Sequence, residues 1–119
     1  MDALEIDEET AWDIISSSFE SREVFEFAIY LVRGTHNKLD FIDKIILENT
    51  DNWEMDRIAK VDRAIIRMGF YEIFFEDTIP RNAAINEAVE LAKYFSTEKS
   101  HKFVNGILDT GSKNIANDR

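Results

Sequence analysis

The sequence predicts an all-α fold, a compact helical bundle. Three observations carry the prediction. Apolar residues recur three and four positions apart, with few β-type alternations. One proline and four glycines are all that punctuate 119 residues. The segments between apolar stripes are short, as in a bundle of packed helices. At this length one domain is expected, with 45% hydrophobic and 12% aromatic residues to build its core.

The first helix is expected over about residues 7–19, where Trp12, Ile15 and Phe19 share a face. Asp7, Glu8 and Glu9 fall in its first turn, where the helix dipole favours acids. A long helical region follows over about 22–48. Ser21 is placed to cap it, and Phe25, Ala28, Leu31 and Val32 form a stripe that Leu39, Ile42, Ile45 and Ile46 continue. Such a length predicts a bend or break near Gly34-Thr35. NTDNW, residues 49–53, reads as a loop.

A third helical region covers about 54–75, lined by Ile58, Val61, Ile65, Met68 and Phe75. A short break near Lys60-Val61-Asp62 would let Asp62 cap its second piece. EDTIP (76–80) is a turn, with Pro80 stopping the helix before it. The next helix spans about 82–95 and buries Ile85, Ala88, Val89, Ala92 and Phe95. Ser96-Thr97 ends it, and Ser100 is placed to cap a last helix over about 101–110 or a little further, with Phe103, Val104, Ile107 and Leu108 inward. GSKNIANDR reads as a frayed tail.

Composition excludes several classes. There is no cysteine, hence no disulfide framework, thiolate metal site or cysteine nucleophile, which fits a reducing, cytoplasmic setting. No apolar run approaches a bilayer span, and the acidic start MDALEIDEE is no signal peptide. Net charge is -10, but unevenly spread: residues 1–30 hold nine acids and one base, residues 81–119 six bases and five acids. A nucleic acid would avoid the front of the chain.

The chemical-looking residues sort as follows. Ser100 and His101 are helix neighbours about 100° apart, poorly placed for a nucleophile–base dyad. The two histidines, His36 and His101, lie on separate helices without ligand spacing, so neither a metal nor another cofactor is expected. Asn86 and Glu87 have two structural readings: polar groups satisfying a helix start, or a buried hydrogen-bond hub between the last two helices. The Asn105-Gly106 pair is read as structural too, with Gly106 marking close approach of another helix. Arg57, Arg63 and Arg67, near Asp56, Asp62 and Glu72, form either a solvated ion-pair face or a ridge for a protein partner. Lys99, His101, Lys102 and Phe103 combine cations with an aromatic, a minimal single-strand RNA contact, unless Phe103 is simply core beside Ile107.

The stretches DRIAKVDRAIIRMGFYEI (56–73) and IPRNAAINEAVELAKYFSTEKSHKFVNGILD (79–109) resemble the NusB family of bacterial transcription antitermination factors. The likeness is close over about 54–110 and looser over 7–53. It implies an all-helical fold of two small subdomains, here 1–53 and 54–115, followed by a tail, 116–119. It implies no enzymatic activity. The family pairs with NusE, a small-subunit ribosomal protein, binds the boxA element of ribosomal RNA leader transcripts, and joins the elongation complex on RNA polymerase. By this resemblance Asp62, Arg67 and Glu72 match the NusE-facing region, and Lys99, Ser100, Lys102 and Phe103 the RNA side.

Two departures stand out. Family members usually begin with a basic helix of the type RRxARExALQxLY, whereas this chain opens with MDALEIDEET, where that helix would already have ended. Its loss would weaken RNA binding and leave part of the apolar stripe on 7–32 uncovered, inviting self-association into a homodimer. Lys99 stands where relatives commonly carry an acid, which would favour phosphate. Two other readings remain at this point: a protein-only interaction module, and the NusB-like RNA-binding fragment of a ribosomal RNA cytosine methyltransferase.

Overall fold

The computed structural model describes residue 13, residues 21–50 and residues 55–117. The expected helix over 7–19, most of the loop at 51–53 and the last two residues lie outside the described residues. Among those described there are five α-helices and no strand. They are α1 (Arg22–Asn37), α2 (Leu39–Glu48), α3 (Lys60–Phe75), α4 (Arg81–Phe95) and α5 (Ser100–Asn117), with a single 3-10 turn at Met55–Arg57. The chain separates into two compact units, Met1–Asn37 and Lys38–Arg119.

In the first unit, Ser21 caps α1 as expected, its Oγ accepting from the Val24 N–H at 3.2 Å. Phe25 and Leu31 are buried. The helix runs through Gly34-Thr35 rather than breaking there. The buried Thr35 hydroxyl donates back to the Leu31 carbonyl at 2.6 Å and stays within the helix. The break falls instead at Lys38, whose φ of -110° and ψ of 16° leave the helical range.

In the second unit, α3, α4 and α5 pack on one another and α2 packs on α3 and α5. Leu39–Glu48 thus groups with the later helices, where the sequence reading divided the chain at 53/54. Two contacts tie α2 to α3: Phe41 meets Phe74 and Phe75 edge-on, and Arg67 forks onto Asp43. The core is built from Ile42, Ile45 and Ile46 of α2, Ile65, Ile66 and Phe70 of α3, Ala84, Ile85, Ala88 and Ala92 of α4, and Val104, Ile107 and Leu108 of α5.

The α3 register differs from the apolar reading. Val61 was expected inward, yet it is 44% exposed and Asp62 is buried in its place. The buried positions are 62, 65, 66, 69 and 70, which follow one helical face, and 71 and 72, which widen it toward the end of the helix. Phe95 was expected in the α4 stripe but is 63% exposed, because it is the last residue of the helix.

The glycines sort differently from the sequence expectation. Gly106 is exposed, with no atom within 4 Å of where a Cβ would sit, so among the described residues no helix approaches it. The close approaches are at Gly69, under Leu108, and above all at Gly111. A Cβ on Gly111 would lie 2.5 Å from Phe70 Cζ and 3.3 Å from Ile45 Cγ2. That packing carries α5 on to Asn117, where a frayed tail was expected from Gly111 onward. Arg81, at the start of α4, fastens the same end: its guanidinium donates to Ser112 Oγ (2.7 Å), the Asp109 carbonyl (3.1 Å) and the Asp109 carboxylate.

Candidate functional site

Of the expected residues, Asp62, Lys99, Ser100, Lys102 and Phe103 lie at one end of the α3–α4–α5 bundle, and Arg67, Glu72, Asn86 and Glu87 lie elsewhere on it. The EDTIP turn ends with Pro80 as the N-cap position of α4, since α3 has already stopped at Phe75. Ser96 follows the last residue of α4 with extended dihedrals, and its N–H bonds the Ala92 carbonyl at 2.9 Å. A tight turn leads to Ser100, whose N–H reaches the Thr97 carbonyl at 3.0 Å. The segment between the helices therefore has little slack.

A cavity of about 540 Å³ opens there, lined by Lys93, Glu98, Lys99, His101 and Lys102. Lys99 and Lys102 are exposed and His101 is half-buried. Of the four residues assigned to an RNA side, two thus face this cavity. Phe103 is half-buried, one position off the buried Val104. Ser100 points elsewhere: it is only 6% exposed, and as the first residue of α5 it is no N-cap. Its hydroxyl donates to Asp62 Oδ2 at 2.8 Å, while Ser96 Oγ donates to Asp62 Oδ1 at 2.7 Å.

Asp62 was placed as a helix cap and, by resemblance, on a protein-facing ridge. It does not cap α3, whose N-cap position is Ala59 without a side-chain bond. The structure brings it together with Ser100, which the sequence had assigned to a different surface. Arg67 is held by Asp43 through two bonds of 2.8 Å. Glu72 is buried, and its Oε2 has no hydrogen-bond partner among the described residues. Burial pushes its carboxyl up from the ordinary 4.5 to about 7. The neighbouring Glu87 adds repulsion and a hydrogen bond to the protonated form, and Glu76 adds further repulsion.

Asn86 and Glu87 are both exposed, which removes the buried-hub reading. They line instead an open groove of about 680 Å³ with Glu90, Leu91, Tyr94 and Phe95. Tyr94 is 82% exposed and packs edge-on against Phe95. Sequence reasoning passed over this aromatic pair; the signal was Tyr94 lying off the buried stripe. Asn105 is exposed beside Gly106. Among the described residues, no group of three or more potential ligands could hold a metal, and no helix is long and apolar enough to cross a membrane.

Comparison with known proteins agrees with this architecture. The NusB family model matches residues 2–113. A transcription antitermination protein NusB from Nitratiruptor is 43% identical over 107 residues, covering 90% of this chain and 76% of the relative. The Desulforudis audaxviator protein of that name is 52% identical over 86 residues, covering 72% of this chain and 62% of its own length. Among solved structures, T. maritima NusB superposes with a TM-score of 0.77 at 38% identity, covering 89% of this chain and 74% of that one. A chain in a crystal structure described as a plectonemic RNA supercoil superposes with a TM-score of 0.78 at 28% identity, covering 87% and 76%. Transcription antitermination is not an enzymatic function, and the helices, the turn before α4 and the sequence relatives converge: the chain belongs to the NusB family.

Proposed function

We propose that the chain is a cytoplasmic, non-enzymatic adaptor in transcription antitermination. It pairs with NusE, binds boxA RNA of ribosomal leader transcripts and joins the elongation complex on RNA polymerase. The observation that carries the RNA part is the gathering of Lys93, Lys99 and Lys102, with His101 and one acid, Glu98, around one cavity in a chain of net charge -10. Cations concentrated at one place, against the sign of the whole, suit a phosphate backbone. Lys99 and Lys102 take phosphates, and the half-buried Phe103 follows Lys102 in the chain. Support comes from relatives named transcription antitermination proteins.

For the protein partner, Arg67 of α3 lies on the proposed face, with the buried Glu72 set behind it. Asp62 contributes from beneath, since its carboxylate is turned inward. Each ligand would shift the other's affinity by one shared coupling energy. The test is a calorimetric titration with NusE, then with single-stranded boxA RNA at low salt. Lys99→Glu is expected to weaken RNA binding and reduce its salt slope by about one phosphate equivalent or more. Unchanged affinity would remove Lys99 from the site.

A second reading is favoured by the Leu91–Tyr94–Phe95 face with its acidic rim. Such an apolar patch suits a protein rather than an RNA. A flat RNA titration alongside intact NusE binding would establish a protein-only module.

A further inference from the structure

We infer that Asp62 is a positioning residue for the cation edge, clasping Ser96 and Ser100 so that the segment 96–102 is held to α3. The inference rests on the proposed RNA reading for what binds there, but the clasp itself is tested separately.

Asp62 and Ser100 are each 6% exposed, so neither meets a ligand in solvent. Both carboxylate oxygens are engaged, Oδ1 by Ser96 at 2.7 Å and Oδ2 by Ser100 at 2.8 Å. The proton count then fixes the rest of the network. Each serine has one proton, and both go to the carboxylate. Ser96 Oγ and Thr97 Oγ1 each lie 2.9 Å from Ser100 Oγ. Thr97 is therefore the donor to Ser100. With Asp62 accepting from both serines and Ser100 accepting from Thr97, three of these contacts are hydrogen bonds, and the Ser96–Ser100 approach is a close contact without a proton of its own.

The placement gives the clasp its consequence. Its two serines bracket the whole connection between α4 and α5, and its acid sits in the first turn of α3. Lys99 directly precedes Ser100, and Lys102 follows two residues later. A shift of Ser100 moves both lysines. A buried acid held by hydroxyls alone is a costly way to add stability, since charge-assisted bonds only offset desolvation. As a device for fixing a short loop, it supplies two directional bonds from one side chain.

The experiment uses the full chain with Asp62→Ala, Ser96→Ala and Ser96→Thr. Ser96 is half-buried and extended, so its variants should fold even if Asp62→Ala does not. Amide exchange at 97–102 is expected to rise about tenfold or more in the alanine variants and to stay near wild type in Ser96→Thr. Affinity for single-stranded boxA RNA should fall about three- to tenfold in Ser96→Ala, with a shallower salt slope, and recover in Ser96→Thr. Unchanged loop exchange in folded Ser96→Ala would overturn the clasp. Faster exchange with unchanged affinity and slope would overturn its positioning role. If the wild-type chain binds no RNA, the RNA reading falls, and tripolyphosphate serves as the anion probe for the same comparison. Binding of neither anion would overturn the positioning role as well.

Discussion

The two ends of the α3–α4–α5 bundle are held differently, although Arg81 adds polar bonds to Ser112 and Asp109 at the more apolar one. At one, Phe70 lies on Gly111 and Leu108 on Gly69, so two helices meet where side chains are missing. At the other, Asp62 reaches across to Ser96 and Ser100. Apolar close packing is sensitive to volume and indifferent to direction. The polar clasp is sensitive to direction, and it is the end where the lysines gather. The contrast teaches which substitutions should unfold the chain and which should only misplace a loop.

The largest expected effect breaks the apolar end. Phe70→Ala should cost about 3–5 kcal/mol, since Phe70 is fully buried and would leave a cavity over Gly111, as read by chemical denaturation. Ser96→Ala, at the other end, should leave the bundle folded by circular dichroism; global unfolding there would erase the contrast.

Next comes overpacking. Gly111→Ala places a methyl against the Phe70 ring edge and should destabilise by about 1–3 kcal/mol. Stability unaffected by that substitution would mean the crossing of α3 and α5 is looser than drawn.

Glu72 sharpens the comparison from the Phe70 end of α3. Its carboxyl is raised in the folded chain, so the folded state holds the proton more tightly than the unfolded one. Stability from this group is present at low pH and lost as pH rises from about 4.5 through about 7. Glu72→Gln should flatten that slope, with a gain on the order of 1–3 kcal/mol above pH 8 relative to wild type. Parallel stability–pH curves for the two proteins would count against the raised carboxyl.

The smallest effect is at Gly106. With open space around it, Gly106→Ala should stabilise by about 0.5–1 kcal/mol through helix propensity alone. Opposite signs at Gly106 and Gly111, measured by thermal melts, would place the close approach at the second.

The sequence made much of the scaffold legible. Ser21 as a cap, the EDTIP turn and the end of α4 at Ser96 all follow from local chemistry, whereas the break expected near Lys60-Val61-Asp62 falls just before Lys60. The inward turn of Asp62 was not legible. Its partners lie 34 and 38 residues away, and the apolar pattern favoured Val61 as the inward residue. Nor could the glycines be ranked, because a helix-interior glycine looks alike whether a Phe70 covers it or nothing does. Of the site, the cations were readable from charge and family resemblance, but their sharing of one cavity was not. The exposure of Tyr94 and Phe95 depended on where neighbouring helices end.

The raised carboxyl of Glu72 also bears on calorimetry. Near neutral pH the free chain carries a fraction of a proton there. A partner whose docking turns this buried carboxylate toward a lysine or arginine favours the ionised form and expels the proton into the medium. The measured heat then includes the buffer's own ionisation, so the apparent enthalpy should differ between phosphate and Tris while the affinity at fixed pH does not. The same partner should bind more tightly as the medium becomes more alkaline, with the Glu72→Gln chain insensitive to both changes.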